Sequence, residues 1–284
     1  MPESLSGNQN DIMKNLLLSL GLAFICCIST VFAQSKETKN VGTFTKISFR
    51  VPGKLFLRQG SPQKVEIEGK KSVLDEIEFE VEGSRLVIEK EGKWNDWNWG
   101  DGDEVTVYIT VKDIEGLSVA GSGDIIGETK IIAKDLDLAV SGSGNLKVEA
   151  DASGDMEADV SGSGDLEVKG KCRNYNSDVS GSGKVTMAMD IAEDADFGIS
   201  GSGKIEASGR ANTVKTSISG SGKVLAANLE TNTCNVRISG SGDVQINVKN
   251  EIDAVISGSG SVSYRGNPSK VNSHSSGSGS LRKM

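Results

Sequence analysis

A small residue followed by Gly-Ser-Gly occurs nine times, starting at Ala120, Ser141, Ser161, Ser180, Ser200, Ser219, Ser239, Ser257 and Ser276. The spacings are 21, 20, 19, 20, 19, 20, 18 and 19 residues, a spread so narrow that each copy must belong to one structural unit. Around each copy the chain alternates: Val236 and Ile238 against Asn235 and Arg237 before one motif, Val244 and Ile246 after it. A period of two marks a strand with one buried face, and no stretch of the repeats sustains the 3.6 period of a helix. Twenty residues at about 3.3 Å each give a contour near 65 Å, enough for one small closed turn of chain and too little for a helical crossover. The turns therefore stack, each pairing with the next about 4.8 Å along an axis. This predicts an all-β chain, a right-handed parallel β-helix (solenoid) with about 20 residues per coil, the hand being the default for parallel crossovers. The rival repeat fold, a β-propeller, needs blades of about 40 residues and four strands.

Parity assigns sides. Counting back from Val244 places Gly242, Gly240, Ile238 and Val236 inward and leaves Ser239 and Ser241 outward. If the phase holds through the motif, glycine lets the wall approach its neighbour closely; if a corner breaks the phase, glycine supplies the positive φ of a tight bend. Register also bears on Cys172 and Cys234, which lie three repeats apart, about 14 Å along the axis. A disulfide needs Cα atoms within about 7 Å, so two free, buried thiols and no disulfide are expected.

Composition narrows the function classes. The 31 basic and 39 acidic side chains give a net charge of -8, which argues against nucleic acid as a partner, since phosphate binding needs a concentrated positive surface. His274 is the single histidine of the chain, leaving no material for a His-based triad or a common zinc site; no metal or cofactor is expected. From Met13, where translation is expected to start, Lys14 precedes an apolar run from Leu16 to Phe32 and then Ala33 and Gln34. This is the pattern of a cleaved secretory signal peptide, too short for a membrane span. Bulky Ile25 before Cys26 speaks against a lipoprotein. The expected organisation is a leader and signal peptide (1–33), a short linker (34–40) and a single β-helix domain (41–284), with irregular opening coils over 41–119 and regular repeats over 120–284, roughly twelve coils in all. The mature chain is expected outside the cytoplasm, in the periplasm, on the outer-membrane surface or extracellular, with no membrane span.

The stretch VGTFTKISFRVPGKLFLRQG from Val41, then EVTVYITVKDIEGLSVAGSGDI from Glu104 and the ladder of SGSG motifs, resembles the head GIN domain family of putative auto-transporter adhesins, from about Val41 to the end. The resemblance implies a right-handed parallel β-helix outside the cytoplasm. It brings no catalytic or binding residues, because the family's activity is not established.

Two features suggest contact sites. Trp94, Trp97 and Trp99, all the tryptophans of the chain, lie among Asp96, Asp101 and Asp103; indole faces stack on sugar C–H groups while carboxylates accept hydroxyl hydrogen bonds, so this is a candidate glycan platform. The alternative is a loop whose indoles cover the solenoid. The residue after each motif forms a column in which Lys184, Lys204 and Lys223 make a basic stripe for an anionic group, or an ordinary solvated edge. Catalysis has little support, since the loops between rungs are too short to build a cleft. The expectation is therefore a non-catalytic, adhesin-like protein contacting a glycan or an envelope or matrix protein; alternatives are a structural or self-assembling envelope solenoid and a polysaccharide-active enzyme. Homo-oligomers, end to end or side by side, are also expected.

Overall fold

The computed structural model describes residues 35–90, 92 and 104–284. The leader and signal peptide, 1–33, lie outside the described residues. The chain forms a β-solenoid of about eight turns with about 20 residues per turn, fewer than twelve because the opening segment does not coil serially.

That segment comprises β1 (Ser35–Thr38), β2 (Lys46–Phe49), β3 (Lys54–Gln59), β4 (Lys64–Gly69), α1 (Lys71–Leu74), β5 (Ile77–Glu82), β6 (Arg85–Lys90), β7 (Thr106–Val111), β8 (Gly116–Gly121), β9 (Asp124–Gly127) and β10 (Ile131–Ala133). The strands β2 and β3 pair in parallel with β8 and β9 on one side and with β6 and β7 on the other. One early coil is thus inserted between two later ones, and the order in the stack is not the order in sequence. Beyond β6 and β7 the pairing turns antiparallel: β5 lies against β6, β4 against β7, and β1 against β4. These strands occupy the backbone edges that another coil would use. The expected irregular coils are therefore two coil layers and an antiparallel cap, and the expected linker contains β1.

Each regular coil is two strands that meet at the motif: β11 (Leu136–Gly142) enters the bend and β12 (Asn145–Ala152) leaves it. The next coils repeat this with β13 (Asp155–Gly162) and β14 (Asp165–Cys172), then β15 (Asn174–Gly181) and β16 (Lys184–Ile191). After β17 (Asp194–Gly201) the strands β18 (Lys204–Gly220), β19 (Lys223–Gly240) and β20 (Asp243–Gly258) run through the return corner from one bend to the next. The ladder continues with β21 (Ser261–Arg265), β22 (Lys270–Gly277) and β23 (Ser280–Lys283).

Stacking in register turns single positions into files. Val119, Val140, Val160, Val179, Ile199, Ile218, Ile238 and Ile256 pair one above the next and are all buried. Facing strands supply the file Ile125, Leu146, Leu166, Val185, Ile205, Val224, Val244 and Val262, also buried. Each such side chain contributes at most about 1.5–3 kcal/mol. At β22 the files change character: Ala254 is followed by Ser273 and Ile256 by Ser275. A coil with hydroxyls at its inward positions suits an interface with water, as terminal repeats of solenoids do, and disfavours axial stacking of a further apolar coil.

The two glycines of the motif divide the two expected tasks between them. The first has positive φ in all nine copies, for instance +119° at Gly162. The second is buried without strain, but a Cβ on Gly164 would lie 2.6 Å from Val140 Cγ1 and 2.3 Å from the Gly144 carbonyl oxygen. A β-branched residue of the coil below fills the space that a side chain would need.

Gly162→Ala and Gly164→Ala are each expected to destabilise by more than about 2 kcal/mol, one through backbone strain and one through overpacking. Gly42→Ala, where an added Cβ meets nothing within 4 Å, is expected to stay within about 0.5 kcal/mol of the parent. Urea unfolding midpoints would check this.

Candidate functional site

The corner formed by the GSG bends carries the most regular surface. Ser141, Ser161, Ser180, Ser200, Ser219, Ser239, Ser257 and Ser276 stack in register and are exposed. The second serine of seven motifs, from Ser143 to Ser259, is fixed by its backbone, as when Ser163 N–H donates to the Gly142 carbonyl at 2.9 Å. Their hydroxyls make no side-chain hydrogen bond among the described residues, so the corner presents unoccupied donors and acceptors at each coil.

The chain leaves β6 at Lys90 and is described again before β7, where the carbonyl of buried Val105 accepts from Lys54 N–H at 2.9 Å. Trp94, Trp97, Trp99, Asp96, Asp101 and Asp103 belong to this segment and lie outside the described residues.

Lys184, Lys204 and Lys223 are consecutive in one file, flanked by Asp165 and Asp243. Carboxylates already reach them: Glu206 lies 3.7 Å from Lys184 and 3.5 Å from Lys204, and Asp243 lies 3.5 Å from Lys223. Surface pairs of this kind contribute little stability and lower the field an anion would meet.

Two charged features were not singled out from the sequence. On the outer face before the bend, Asp137, Glu157, Asn176 and Asp196 stack in register. Several of the acids there have cations, such as Lys46 at 2.8 Å from Asp137. No cation pairs with Glu157, Asp159 or Asp178 among the described residues. Burial pushes the Asp159 carboxyl from its ordinary 3.8 up to about 6, aided by the charge of Glu157, while the Asp178 N–H, donating to Asp159 Oδ1 at 3.2 Å, acts the other way.

At the return corner, Asp151, Lys171, Asp190, Arg210 and Glu230 stack in register with strictly alternating sign. Lys171 lies 3.6 Å from Asp151, Arg210 2.8 Å from Asp190, and Lys249 2.5 Å from Glu230. A shallow cleft of about 780 Å³ runs beside this file, with Cys172, Ile191 and Ala211 in its lining. Aligning the repeats on their motifs would have exposed the alternation.

Cys172 and Cys234 are both buried and unbridged. They stand in different files, Cys172 beside Ile191 and Cys234 between Val214 and Ile252. Burial pushes both thiols up to about 12, which leaves almost no thiolate at neutral pH. Among the described residues no helix is long and apolar enough to cross a membrane.

Two tests follow from these groups. An acid that binds its proton more tightly folded than unfolded favours the fold at low pH and opposes it as pH rises through about 4 to 6. Asp159→Asn is therefore expected to stabilise by about 1 kcal/mol at pH 8, after allowance for solvent screening, and to have no such effect at pH 3; denaturant unfolding at both pH values reads this. Peptides containing Cys172 and Cys234 are expected to remain unalkylated in the folded protein and to be labelled in denaturant, by mass mapping.

Residues 43–206 and 187–268 match the family model described as "Putative auto-transporter adhesin, head GIN domain". No match is found among curated proteins. Among solved structures the chain is similar to a putative lipid binding protein from Parabacteroides distasonis, with 21% identity over 88% of this chain and 96% of that one and a TM-score of 0.65. It is also similar to a putative adhesin from Parabacteroides merdae, with 19% identity over 88% and 96% of the two chains and a TM-score of 0.67. A putative adhesin from P. distasonis has 18% identity over 89% and 98%, with a TM-score of 0.69. At such identities the likeness to the solved structures is one of fold.

Proposed function

The chain belongs to the head GIN domain family of putative auto-transporter adhesins, and from that premise we propose that it is an exported, adhesin-like protein that binds a glycan, or a glycan-bearing envelope or matrix partner, through the corner of its motif bends. The observation that carries this reading is the serine files, whose hydroxyls make no side-chain hydrogen bond among the described residues. The sequence adds Trp94, Trp97, Trp99, Asp96, Asp101 and Asp103 between β6 and β7. Hydroxyl-rich ligands need both kinds of contact, apolar stacking on the ring faces and hydrogen bonds at the rim.

Non-catalytic binding agrees with the charge arrangement. The carboxylates of the described surface are spread along files and largely matched to cations, in place of an acid and a base converging on one point. The lysine file remains a candidate contact for sulfated or uronic glycans, which would have to displace Glu206 and Asp243. A purely structural envelope role is favoured by one observation, the continuous parallel pairing of the regular coils, which needs no ligand.

A glycan array tests the reading. The parent protein is expected to bind one class of glycan, Trp97→Ala to lose at least about tenfold in affinity, and Lys204→Ala to weaken only acidic glycans. Silence of the parent on neutral and acidic glycans alike would favour the structural role, and turnover of a polysaccharide would establish the enzyme alternative.

A further inference from the structure

The alternating file at the return corner is complementary to itself when reversed. From Asp151 through Lys171, Asp190 and Arg210 to Glu230 the signs run minus, plus, minus, plus, minus; the next register position is Asn247, and Lys249, two residues on and 2.5 Å from Glu230, supplies a plus beside it. We propose that this corner is a contact surface for a second copy of the chain, lying antiparallel alongside the first about a two-fold axis between the coils of Asp190 and Arg210. Asp190 then faces Arg210 of the second copy, Lys171 faces Glu230, and Asp151 faces Lys249, and each contact occurs twice, as a closed two-fold interface requires.

The flanking columns fit the same alignment. On one side Lys169, Ala188, Ser208 and Asn228 follow one another in register. On the other, Glu193 N–H donates to the Arg173 carbonyl, Asn212 N–H to the Glu193 carbonyl, and the Asn232 amide to the Asn212 side chain at 3.0 Å. Reversal brings Lys169 against Asn228, Arg173 against Asn232 and Glu193 against Asn212, charge against amide in each case and nowhere like against like. Parallel alignment in register would place every charge of the file against its own sign. Parallel alignment shifted by one coil restores attraction but does not close.

Six coils at about 4.8 Å make a strip about 24 Å long and three columns wide. That is small beside a stable dimer interface, so the contact is transient and salt-sensitive. Side chains such as Lys171 and Arg210, 67% and 71% exposed, keep their neighbours in the chain and gain a second opposite charge from the other copy.

Light scattering and zero-length carbodiimide cross-linking of the full chain test the proposal. At ~0.02 M salt and about millimolar protein a dimer is expected, its dissociation constant rising at least tenfold by ~0.5 M salt. Cross-links Lys171–Glu230 and Asp151–Lys249 are expected in the dimer band. Lys171 and Glu230 lie three coils apart in one chain, about 14 Å along the axis, farther than their side chains span, so that link reports a second copy. Arg210→Glu is expected to weaken the dimer at least tenfold, and Asp190→Arg combined with Arg210→Asp to restore it, with circular dichroism reading the fold of each variant. A monomer at ~0.02 M salt, or a dimer lacking both links, would overturn the proposal, and the wild-type cross-links decide even where a variant fails to fold.

Discussion

Parallel backbone pairing of each regular coil with the next, in register through the motif and its flanking strands, is the constraint on which the rest of this structure depends. A strand in a sheet offers hydrogen bonds on two edges, and in a solenoid both are taken by copies of the same unit. Once register is fixed, every position becomes a file, and a choice suitable in one coil must be suitable against its equivalents above and below. The files of Val119 to Ile256 and of Gly144 to Gly260 show the consequence. The branched side chain of one coil occupies the room beside the second glycine of the next motif, as Val140 does beneath Gly164. Neither residue type can be changed alone.

Periodicity in the sequence reports this constraint directly, which is why the coil length, the strand type and the outward serines were legible from the spacing of one motif. The division of labour between the two glycines was not, since parity permits both readings and only the backbone dihedral at Gly162 and the crowding at Gly164 separate them. The order of the opening strands was not legible for a different reason. Alternation at Leu86 and Ile88 or at Val107 and Ile109 identifies strands but carries no information on order, and the insertion of β2 and β3 between β6 and β8 follows from contacts far apart in sequence. Of the candidate contacts, the lysine column followed from register. The carboxylates that share it come from Glu206, two residues along the strand, and from Asp243, one coil on, and a column considered by itself hides both.

Charge on this rod is distributed by face. The outer face before the bend carries an acidic group centred on Asp159, the edge after the bend carries the lysine file, and the return corner alternates in sign. A net charge of -8 therefore describes none of these surfaces well. Steering of a partner depends on local potential within about a Debye length, roughly 8 Å in physiological salt, or less than two coils. Two ligands of opposite charge could meet this chain on different faces without competing.

Files also change what a weak contact can do. A single serine hydroxyl or surface ion pair contributes at most about 1 kcal/mol, too little to hold a partner. A repeat that presents the same group at every coil lets a repetitive partner engage several at once, so that each later contact forms at the effective concentration set by the first. The requirement is geometric: spacing must hold over the length of the contact, and a flexible display would lose it. The glycine and branched files hold that spacing from inside, while the outward positions differ from coil to coil, as half-buried Ala139, Asp159 and Gly198 and exposed Ser217, Arg237 and Val255 do on one face. The interior fixes where groups stand and the exterior decides which groups they are. Recognition can therefore change in this fold without disturbing the register that supports it.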